Sequence, residues 1–278
     1  MTTLASWVTY SKTGEKPELP RAIYMISDSR ITWGSKSVRW DAGRKVFNSQ
    51  KKPHIFGYCG AVVFPSLVLG QIVTAIDNEI IFEEEHTPDE KHERIFQTIK
   101  VSYKQSHNNP TMDFSIVHAC RSHPWPETAF SFWHISYRAN TNKWRSNKIE
   151  LPNETGLIIT LGSGISSAEN HRSRWQKSDV GGTSRSFFSA FCDSINSGDD
   201  KLSGGPPQLA AIYTKMAAKS IGIIKDERYF LHGMELQPNP MLSNIEWKDE
   251  LFRDVDPYTK KLKQGARPFA KPNLKKNR

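Results

Sequence analysis

The chain has 278 residues, enough for one large domain with a substantial core or for two small ones. Its formal net charge of +9 invites a nucleic-acid partner, but eight of these charges lie in residues 259–278, and subtracting them leaves +1 for residues 1–258. The three cysteines are widely spaced, which argues against a disulfide framework and a zinc knuckle. No apolar stretch is long and unbroken enough for a membrane span, and the start of the chain has no secretory pattern. We therefore expect a cytoplasmic protein.

Residues 259–278 form a basic tail with two prolines and few large apolar residues, a composition typical of disorder. Its charges, with no acid among them, are Lys260, Lys261, Lys263, Arg267, Lys271, Lys275, Lys276 and Arg278. We expect the tail mainly to aid solubility. The alternative is a docking arm for an acidic surface, such as that of an ATPase partner, or for nucleic acid. Because the rest of the chain is nearly neutral, nucleic acid is not the expected partner.

The first part of the chain has the patterns of short strands. Residues 5–10 and 22–26 are predicted to form an antiparallel pair, separated by the polar insert 11–21. Residues 45–47 and 54–58 are predicted to be two further strands, parted by a turn-like segment that ends in proline.

Helical spacing of apolar residues comes next. Residues 64–82 carry such a stripe, and residues 86–105 are predicted as a second helix that opens at Thr87-Pro88, a cap residue followed by a first-turn proline. The later strands are predicted at 113–119, 129–137 and 156–161. The remaining predictions are helices at 166–176, 183–196 and 208–220, and a hairpin of strands 221–225 and 228–232.

The order of these elements is strands, two helices, strands, two or three helices, and strands. Runs of strands followed by runs of helices favour an α+β fold over alternating βαβ units. Two sheets between helix layers would satisfy the pattern. We divide the chain into a domain over residues 1–235, a C-terminal extension over 236–258 and the tail over 259–278.

Thr2 would be a complete catalytic unit if Met1 were removed. A free N-terminal threonine supplies a hydroxyl nucleophile and its own α-amine as the base. That amine titrates near pH ~8, about two units below a lysine, so it accepts a proton near neutrality. Because threonine is small, we expect an ordinary methionine aminopeptidase to remove Met1.

Other candidate residues lie next to predicted strands. Asp28-Ser29-Arg30, taken alone, is a turn, and Lys45 alone would be a solvated strand-edge residue. The segments that end at Gly60 and at Gly162-Ser163-Gly164 each connect a predicted strand to a predicted helix. Glycine at such a position lets the backbone approach a ligand closely, and the backbone N–H of the glycine can donate a hydrogen bond to an oxyanion. Cys59 is predicted to be a buried, small apolar side chain.

Together these segments resemble the proteasome β-subunit and HslV group of N-terminal-nucleophile (Ntn) hydrolases, including the bacterial Anbu-type relatives. The matching segments, over residues 2–235, are Thr2-Thr3, Ser27-Asp28-Ser29-Arg30, Arg44-Lys45-Val46, Gly60, Gly162-Ser163-Gly164 and Asp200-Lys201-Leu202-Ser203-Gly204-Gly205. The resemblance implies a four-layer αββα sandwich, with two antiparallel sheets between helix layers. It also implies assembly into a ring or other closed homo-oligomer.

The resemblance implies a threonine-type peptidase that acts on peptide or protein substrates. Thr2 would attack the carbonyl with its own amine as general base. Lys45 would lower the pKa of that amine, and Asp28 would hold Lys45 charged and oriented. The Gly60 N–H would donate to the oxyanion. The side chains implied to position the amine are Ser163, Asp200 and Ser203.

Three features depart from the family pattern: the insert 11–21, Cys59 in place of a small residue before Gly60, and the long, Trp- and Pro-containing stretch 121–153. Two alternatives stay open. One is a catalytically silent, proteasome-like structural subunit, against which the complete residue set argues. The other is an Ntn amidase that cleaves a non-peptide amide, which pocket shape would decide.

No cofactor or metal site is predicted. His92-Glu93 has no second histidine at metal-binding spacing, and neither a GxGxxG motif nor a P-loop occurs. The nine histidines are scattered along the sequence.

Overall fold

A computed structural model describes residues 2–11, 19–33, 38–106, 112–123 and 126–274. Its helices are α1 (Val63–Asp77), α2 (Pro88–Gln105), α3 (Ile165–Gln176) and α4 (Ser184–Ser197). Its strands are β1 (Thr3–Tyr10), β2 (Pro20–Ser27), β3 (Ile31–Thr32), β4 (Arg39–Trp40), β5 (Val46–Asn48), β6 (His54–Gly60), β7 (Phe114–Arg121), β8 (Phe130–Arg138), β9 (Lys143–Ile149), β10 (Gly156–Gly162), β11 (Gln208–Tyr213), β12 (Lys219–Lys225), β13 (Arg228–Leu231), β14 (Met234–Leu236) and β15 (Glu246–Asp249). Met1, most of the insert 11–21 and the last four residues of the tail lie outside the described residues.

The first sheet has the strand order β10-β1-β2-β11-β12-β13-β14, and β15 also pairs with β12. All neighbours are antiparallel except β15, which runs parallel to β12. The register pairs Thr3 with Gly162, Leu4 with Ser27, and Gln208 with Ser27. The N-terminal end of β1 therefore lies beside the C-terminal ends of β2 and β10.

The second sheet has the order β5-β6-β7-β8-β9, and every neighbouring pair is antiparallel. Strands β3 and β4 form a separate two-stranded pair. Val46 at the start of β5 lies opposite Gly57. The start of β5 is consequently next to the C-terminal half of β6.

Apolar clusters cover both faces of the two sheets. One cluster combines buried side chains of the first sheet, such as Leu4 and Met25, with Ile55 and Phe132 of the second, so the sheets pack on each other. A second cluster joins the second sheet to α1 and α2, and a third joins the first sheet to α4. Antiparallel sheets with segregated helices are consistent with the α+β class predicted from the sequence.

The helix ends follow the local chemistry of the chain. The predicted start of α2 is confirmed, because Thr87 accepts a hydrogen bond from the Glu90 N–H while the Glu90 carboxylate accepts one from the Thr87 N–H. The helix predicted over 64–82 is shorter than expected and ends at Asp77. Glu79 follows with a φ of 59°, which a helix does not tolerate.

The helix predicted over residues 208–220 is wrong. This segment forms β11 and the start of β12, and β11 lies between β2 and β12 in the first sheet. Its residues from Leu209 to Ile212 are fully buried. A central strand that is buried on both faces needs apolar residues at successive positions, so its sequence is an unbroken apolar run. Periodicity alone does not separate such a run from a buried helix. The strands β3, β4, β9, β14 and β15 were not predicted, while the other predicted strands and helices are confirmed to within a few residues.

The described part of the tail, residues 259–274, contacts the rest of the chain. Lys271 pairs with Asp193 at 2.6 Å, and the Arg185 guanidinium donates to the Ala270 carbonyl. Upstream, β15 adds the predicted extension to the first sheet. The proposed division into domain, extension and tail stays a prediction. Within the described ranges, no helix has the length and apolar character needed to cross a membrane.

Candidate active site

The predicted site residues converge on one edge of the first sheet, at the start of β1. Asp28 directly follows β2, Ser163 directly follows β10, and residues 200–207 lead into β11. Because antiparallel neighbours place opposite ends side by side, these segments emerge next to Thr2. Lys45 arrives from the second sheet, directly before β5.

Asp28 and Lys45 form an ion pair that solvent does not reach. Lys45 Nζ lies 2.8 Å from Asp28 Oδ1, and both side chains are 0% exposed. Oδ1 also accepts a hydrogen bond from the Thr3 N–H at 3.0 Å. Oδ2 accepts from the N–H groups of Arg30 and Gly204, at 3.0 and 2.9 Å. Four donors match the acceptor capacity of one carboxylate, so the surrounding segments hold Asp28 in one position.

The Lys45 ammonium group is held at a second point. Nζ donates to the Arg30 carbonyl oxygen at 2.5 Å. Burial lowers the pKa of Lys45, and the Asp28 carboxylate opposes that effect. In such a dry environment a charge acts more strongly on its neighbours than it does in water. The pair can therefore shift the pKa of a nearby amine or stabilise developing negative charge.

Thr2 directly precedes β1, and the residue after it, Thr3, contacts Asp28. Thr2 is fully buried, and its Oγ1 has no hydrogen-bond partner among the described residues. Its carbonyl oxygen accepts from the Ser163 N–H at 2.9 Å. Gly162, with a φ of 102°, approaches so closely that a Cβ there would lie 1.7 Å from that oxygen. The hydroxyls of Ser6, Thr128 and Ser189 are likewise buried without a partner among the described residues, so it is the place of Thr2 before β1, beside the Asp28 and Ser163 segments, that makes it the candidate nucleophile.

Asp200 joins the other predicted side chains. Its Oδ2 accepts from the hydroxyls of both Ser163 and Ser203, each at 2.7 Å. The Ser203 hydroxyl has only one proton, so Thr3 Oγ1, at 2.6 Å, is the donor to Ser203. The resemblance implied that these side chains surround the Thr2 amine. Their contacts in the structure run to the Thr3 hydroxyl and, through the Ser163 N–H, to the Thr2 carbonyl.

Gly60 ends β6 in the left-handed region, with a φ of 97°, and a Cβ there would lie 2.3 Å from the Asp113 carbonyl oxygen. Cys59 before it is buried, as predicted. Burial raises the pKa of the Cys59 thiol to about 11, and the charge of Lys45 acts in the opposite direction. The Gly60 segment is thus within electrostatic reach of the ion pair, and Cys59 stays protonated near neutrality.

Gln208 is a site residue that the sequence analysis missed. Its fully buried side chain accepts from the Lys45 N–H through Oε1, at 2.9 Å. Nε2 lies 2.7 Å from the Gly43 carbonyl oxygen, 3.0 Å from the Ser29 hydroxyl and 3.2 Å from the Asp28 carbonyl oxygen, and these three acceptors share its two protons. Gln208 therefore connects the backbone at Lys45 to the backbone at Asp28. The only signal for it was its place before an apolar run, which the sequence analysis assigned to a helix.

Arg30 supports the same loops from the other side. Its guanidinium binds both oxygens of Asp41, at 2.7 and 2.8 Å, and donates to the Ser203 carbonyl at 3.2 Å. The hydrogen bonds from Arg30 lower the pKa of Asp41. This clamp attaches the loop that carries Ser203 to the segment that follows Asp28.

Comparisons of the sequence with protein-family models and with curated proteins gave no match. The resemblance to Ntn hydrolases therefore stays a prediction from the motifs. Evidence about function comes from the chemistry of the site itself: a buried ion pair, a threonine hydroxyl without a partner, and a bridging carboxylate between two serines.

Proposed function

We propose that this protein is a threonine-type peptidase similar to proteasome β-subunits, HslV and Anbu, with Thr2 as N-terminal nucleophile after removal of Met1. Its fold would be the four-layer αββα sandwich of Ntn hydrolases. The contact between the two sheets, with α1 and α2 on the second sheet and α4 on the first, supports this layer order.

The proposal rests on one observation: a single carboxylate oxygen of Asp28 accepts hydrogen bonds from two donors. Oδ1 binds both Lys45 Nζ and the N–H of Thr3. The buried cation and the backbone directly after Thr2 are thereby held at one atom. A purely structural ion pair would not need to bind the Thr3 N–H, next to the unpartnered hydroxyl of Thr2.

In the proposed reaction, Thr2 Oγ1 forms a bond to the peptide carbonyl carbon while its proton passes to the α-amine of Thr2. The Gly60 N–H donates to the resulting oxyanion. The C–N bond then breaks, the ammonium proton moves to the leaving amine, and an ester to Thr2 remains. Water attacks this ester, gives its proton to the amine, and releases the carboxylic acid product and the threonine hydroxyl.

Lys45 would act on the base in this reaction. A fixed cation lowers the pKa of a neighbouring amine, because it disfavours a second positive charge. More of the Thr2 amine is then neutral and able to accept the hydroxyl proton. Asp28 offsets the cost of burying Lys45 and keeps it in place, which makes it a positioning residue.

Exposed apolar side chains support the proposed homo-oligomer. Val63 and Leu67 of α1 are 69% and 64% exposed, and Ile80 is 78% exposed. An open groove of about 630 Å³ lies along this helix and is lined by Leu67 and Ile80, among others. Apolar surface of this kind typically marks a contact with another protein, and a closed assembly of identical chains would cover it.

A catalytically silent structural subunit is the second candidate, because Thr2 is fully buried. An amidase for a non-peptide amide would use the same residues with another substrate. The buried pair, the bridging Asp200 and the free hydroxyl together favour an active site over a silent one.

The test is the intact mass of the untagged protein with and without an epoxyketone peptide, which bonds to both the hydroxyl and the amine of an N-terminal threonine. We expect loss of Met1 and one adduct per chain. Thr2→Ala should form no adduct and cleave no peptide, with unchanged folding and assembly. Thr98→Ala, on the exposed face of α2, is the matched control, and it should retain the adduct.

Retention of Met1, or its loss without adduct formation, would overturn the peptidase proposal and favour the silent subunit. An adduct without cleavage of any peptide in a broad library would favour the amidase. Peptide turnover by Thr2→Ala would contradict the mechanism.

A further inference from the structure

A cluster of three histidines and one cysteine lies buried between the second sheet and α2. His54 begins β6, His118 and Cys120 belong to β7, and His92 belongs to α2. All four are at most 4% exposed. The cluster lies at the opposite end of β6 from Gly60, so it is separate from the candidate active site.

Strand register brings three of these side chains together. His54 is the cross-strand partner of Cys120, and His118 precedes Cys120 by two residues, so all three lie on one face of the sheet. One potential ligand atom of each lies within 4.8 Å of the others. His54 Nδ1 and His118 Nε2 are 3.0 Å apart. Two nitrogens bound at about 2.0–2.1 Å to one ion in a trigonal site lie about 3.5 Å apart, so a small displacement would admit a metal.

His92 supplies the outer hydrogen bond that metal-bound histidines commonly make. His118 Nδ1 lies 2.9 Å from His92 Nδ1, and His92 Nε2 lies 2.7 Å from Ser146 Oγ. With a metal on Nε2, His118 donates through Nδ1 to His92, and His92 donates to Ser146. Such a chain fixes the tautomer and the orientation of the ligand. His92 is held flat against Trp133, with ring centroids 4.4 Å apart.

We propose that His54, His118 and Cys120 bind one Cu⁺ ion. A thiolate with imidazoles suits copper and zinc, and the trigonal two-histidine, one-cysteine set is one that copper uses in proteins. Charge decides between the two metals. Cu⁺ and a thiolate form a neutral centre, whereas Zn²⁺ would leave a net positive charge in a fully buried site, which is costly.

The experiment measures copper in the full-length protein. Untagged protein is purified anaerobically from copper-supplemented cells, and metals are counted by mass spectrometry. A parallel sample is titrated with Cu⁺ against the chromophoric chelator bicinchoninate. We expect one copper per chain and withdrawal of one Cu⁺ equivalent from the chelator. X-ray absorption at the copper edge should show one sulfur and two imidazole nitrogens.

Matched variants distinguish copper bound at this site from copper bound by any other cysteine thiol of the protein. Cys120→Ser should hold no copper, whereas Cys192→Ser, which removes another buried cysteine in a different core cluster, should hold one. His92→Gln should weaken Cu⁺ affinity by about 10–100-fold, as loss of an outer hydrogen bond does. Absence of copper from the wild type, uptake of Zn²⁺ in its place, equal copper in the two cysteine variants, or a copper edge without sulfur would overturn the proposal.

Discussion

Lys45 Nζ lies 2.8 Å from Asp28 Oδ1, and neither side chain is exposed to solvent. The two residues come from different sheets, so the pair links the first sheet to the second at the edge that holds Thr2. Charges this deeply buried are stable only as a pair with further hydrogen bonds, and Asp28 has three additional donors. Stability and site geometry therefore depend on the same atoms.

Removal of either charge should destabilise the fold strongly. Asp28→Asn and Lys45→Met should each lower the free energy of unfolding by about 3–5 kcal/mol, because each leaves the other charge buried and unpaired. The double variant should lose less than the sum of the two single losses. Urea unfolding followed by circular dichroism measures all three changes.

An exposed ion pair serves as the control for this experiment. Arg228 and Glu235 lie 3.4 Å apart with side chains 55% and 44% exposed. Glu235→Gln should change the free energy of unfolding by less than about 1 kcal/mol. Additive losses in the double variant at Asp28 and Lys45 would show that the two charges do not depend on each other.

Gln208→Leu should both destabilise the protein and impair the site. It leaves the Lys45 N–H and the Gly43 carbonyl without their side-chain partner, at about 1–3 kcal/mol per buried group. In an active peptidase, kcat should fall while KM changes little, because Gln208 positions Lys45. Gln97→Leu on the exposed face of α2 is the control and should leave both stability and turnover unchanged. Equal effects of the two substitutions would contradict the assignment.

Gly164→Ala should disrupt the contact between Thr3 and Ser203. Gly164 has a φ of −88°, which alanine accepts, so the effect is steric. The added Cβ would lie 1.9 Å from Thr3 Oγ1 and 3.1 Å from Asp200 Oδ2. We expect a loss of about 1–3 kcal/mol on thermal or urea unfolding.

The matched glycine is Gly70, a half-buried residue of α1 beside the groove at Leu67, where an added Cβ meets no atom of the same chain within 4 Å. Gly70→Ala should stabilise the protein by about 0.5–1 kcal/mol, because alanine favours the helix. If Gly164→Ala also stabilised the protein, the tight packing at Thr3 would be disproved.

Stability should fall on acidification partly through His232. Burial lowers the pKa of His232 to about 3, whereas a histidine in the unfolded chain titrates near ~6.5. Between these values the unfolded state binds a proton that the native state does not, so stability decreases as the pH falls from about 6.5 towards about 3. The free energy of unfolding measured at several pH values in this window records the decrease.

His232→Asn removes this titration. Asparagine suits the φ of 49° at this position better than most residues. The decrease in unfolding free energy from about pH 7 to about pH 4.5 should be smaller in the variant than in the wild type. An identical decrease in the two proteins would show that His232 does not contribute.

Local patterns predicted much of the fold. The capping sequence at Thr87 set the start of α2, and runs of strand-forming residues marked both strands of the first hairpin. The helix predicted across residues 208–220 failed because a buried central strand and a buried helix share an apolar run without a distinguishing period. That error also hid Gln208, whose role depends on five hydrogen bonds to distant segments.

The amino-acid sequence by itself determined the α+β order of elements and the basic tail, because turn residues, glycines and apolar periodicity act over a few positions. The candidates Thr2, Asp28, Lys45, Gly60, Ser163, Asp200 and Ser203 followed from the resemblance of their motifs to Ntn hydrolases. Only the tertiary structure decided which of these side chains meet. Antiparallel register put Thr3 beside Asp28, 25 residues away, and His54 beside Cys120. Contacts between residues far apart in the chain depend on strand pairing and sheet packing, which no local pattern encodes.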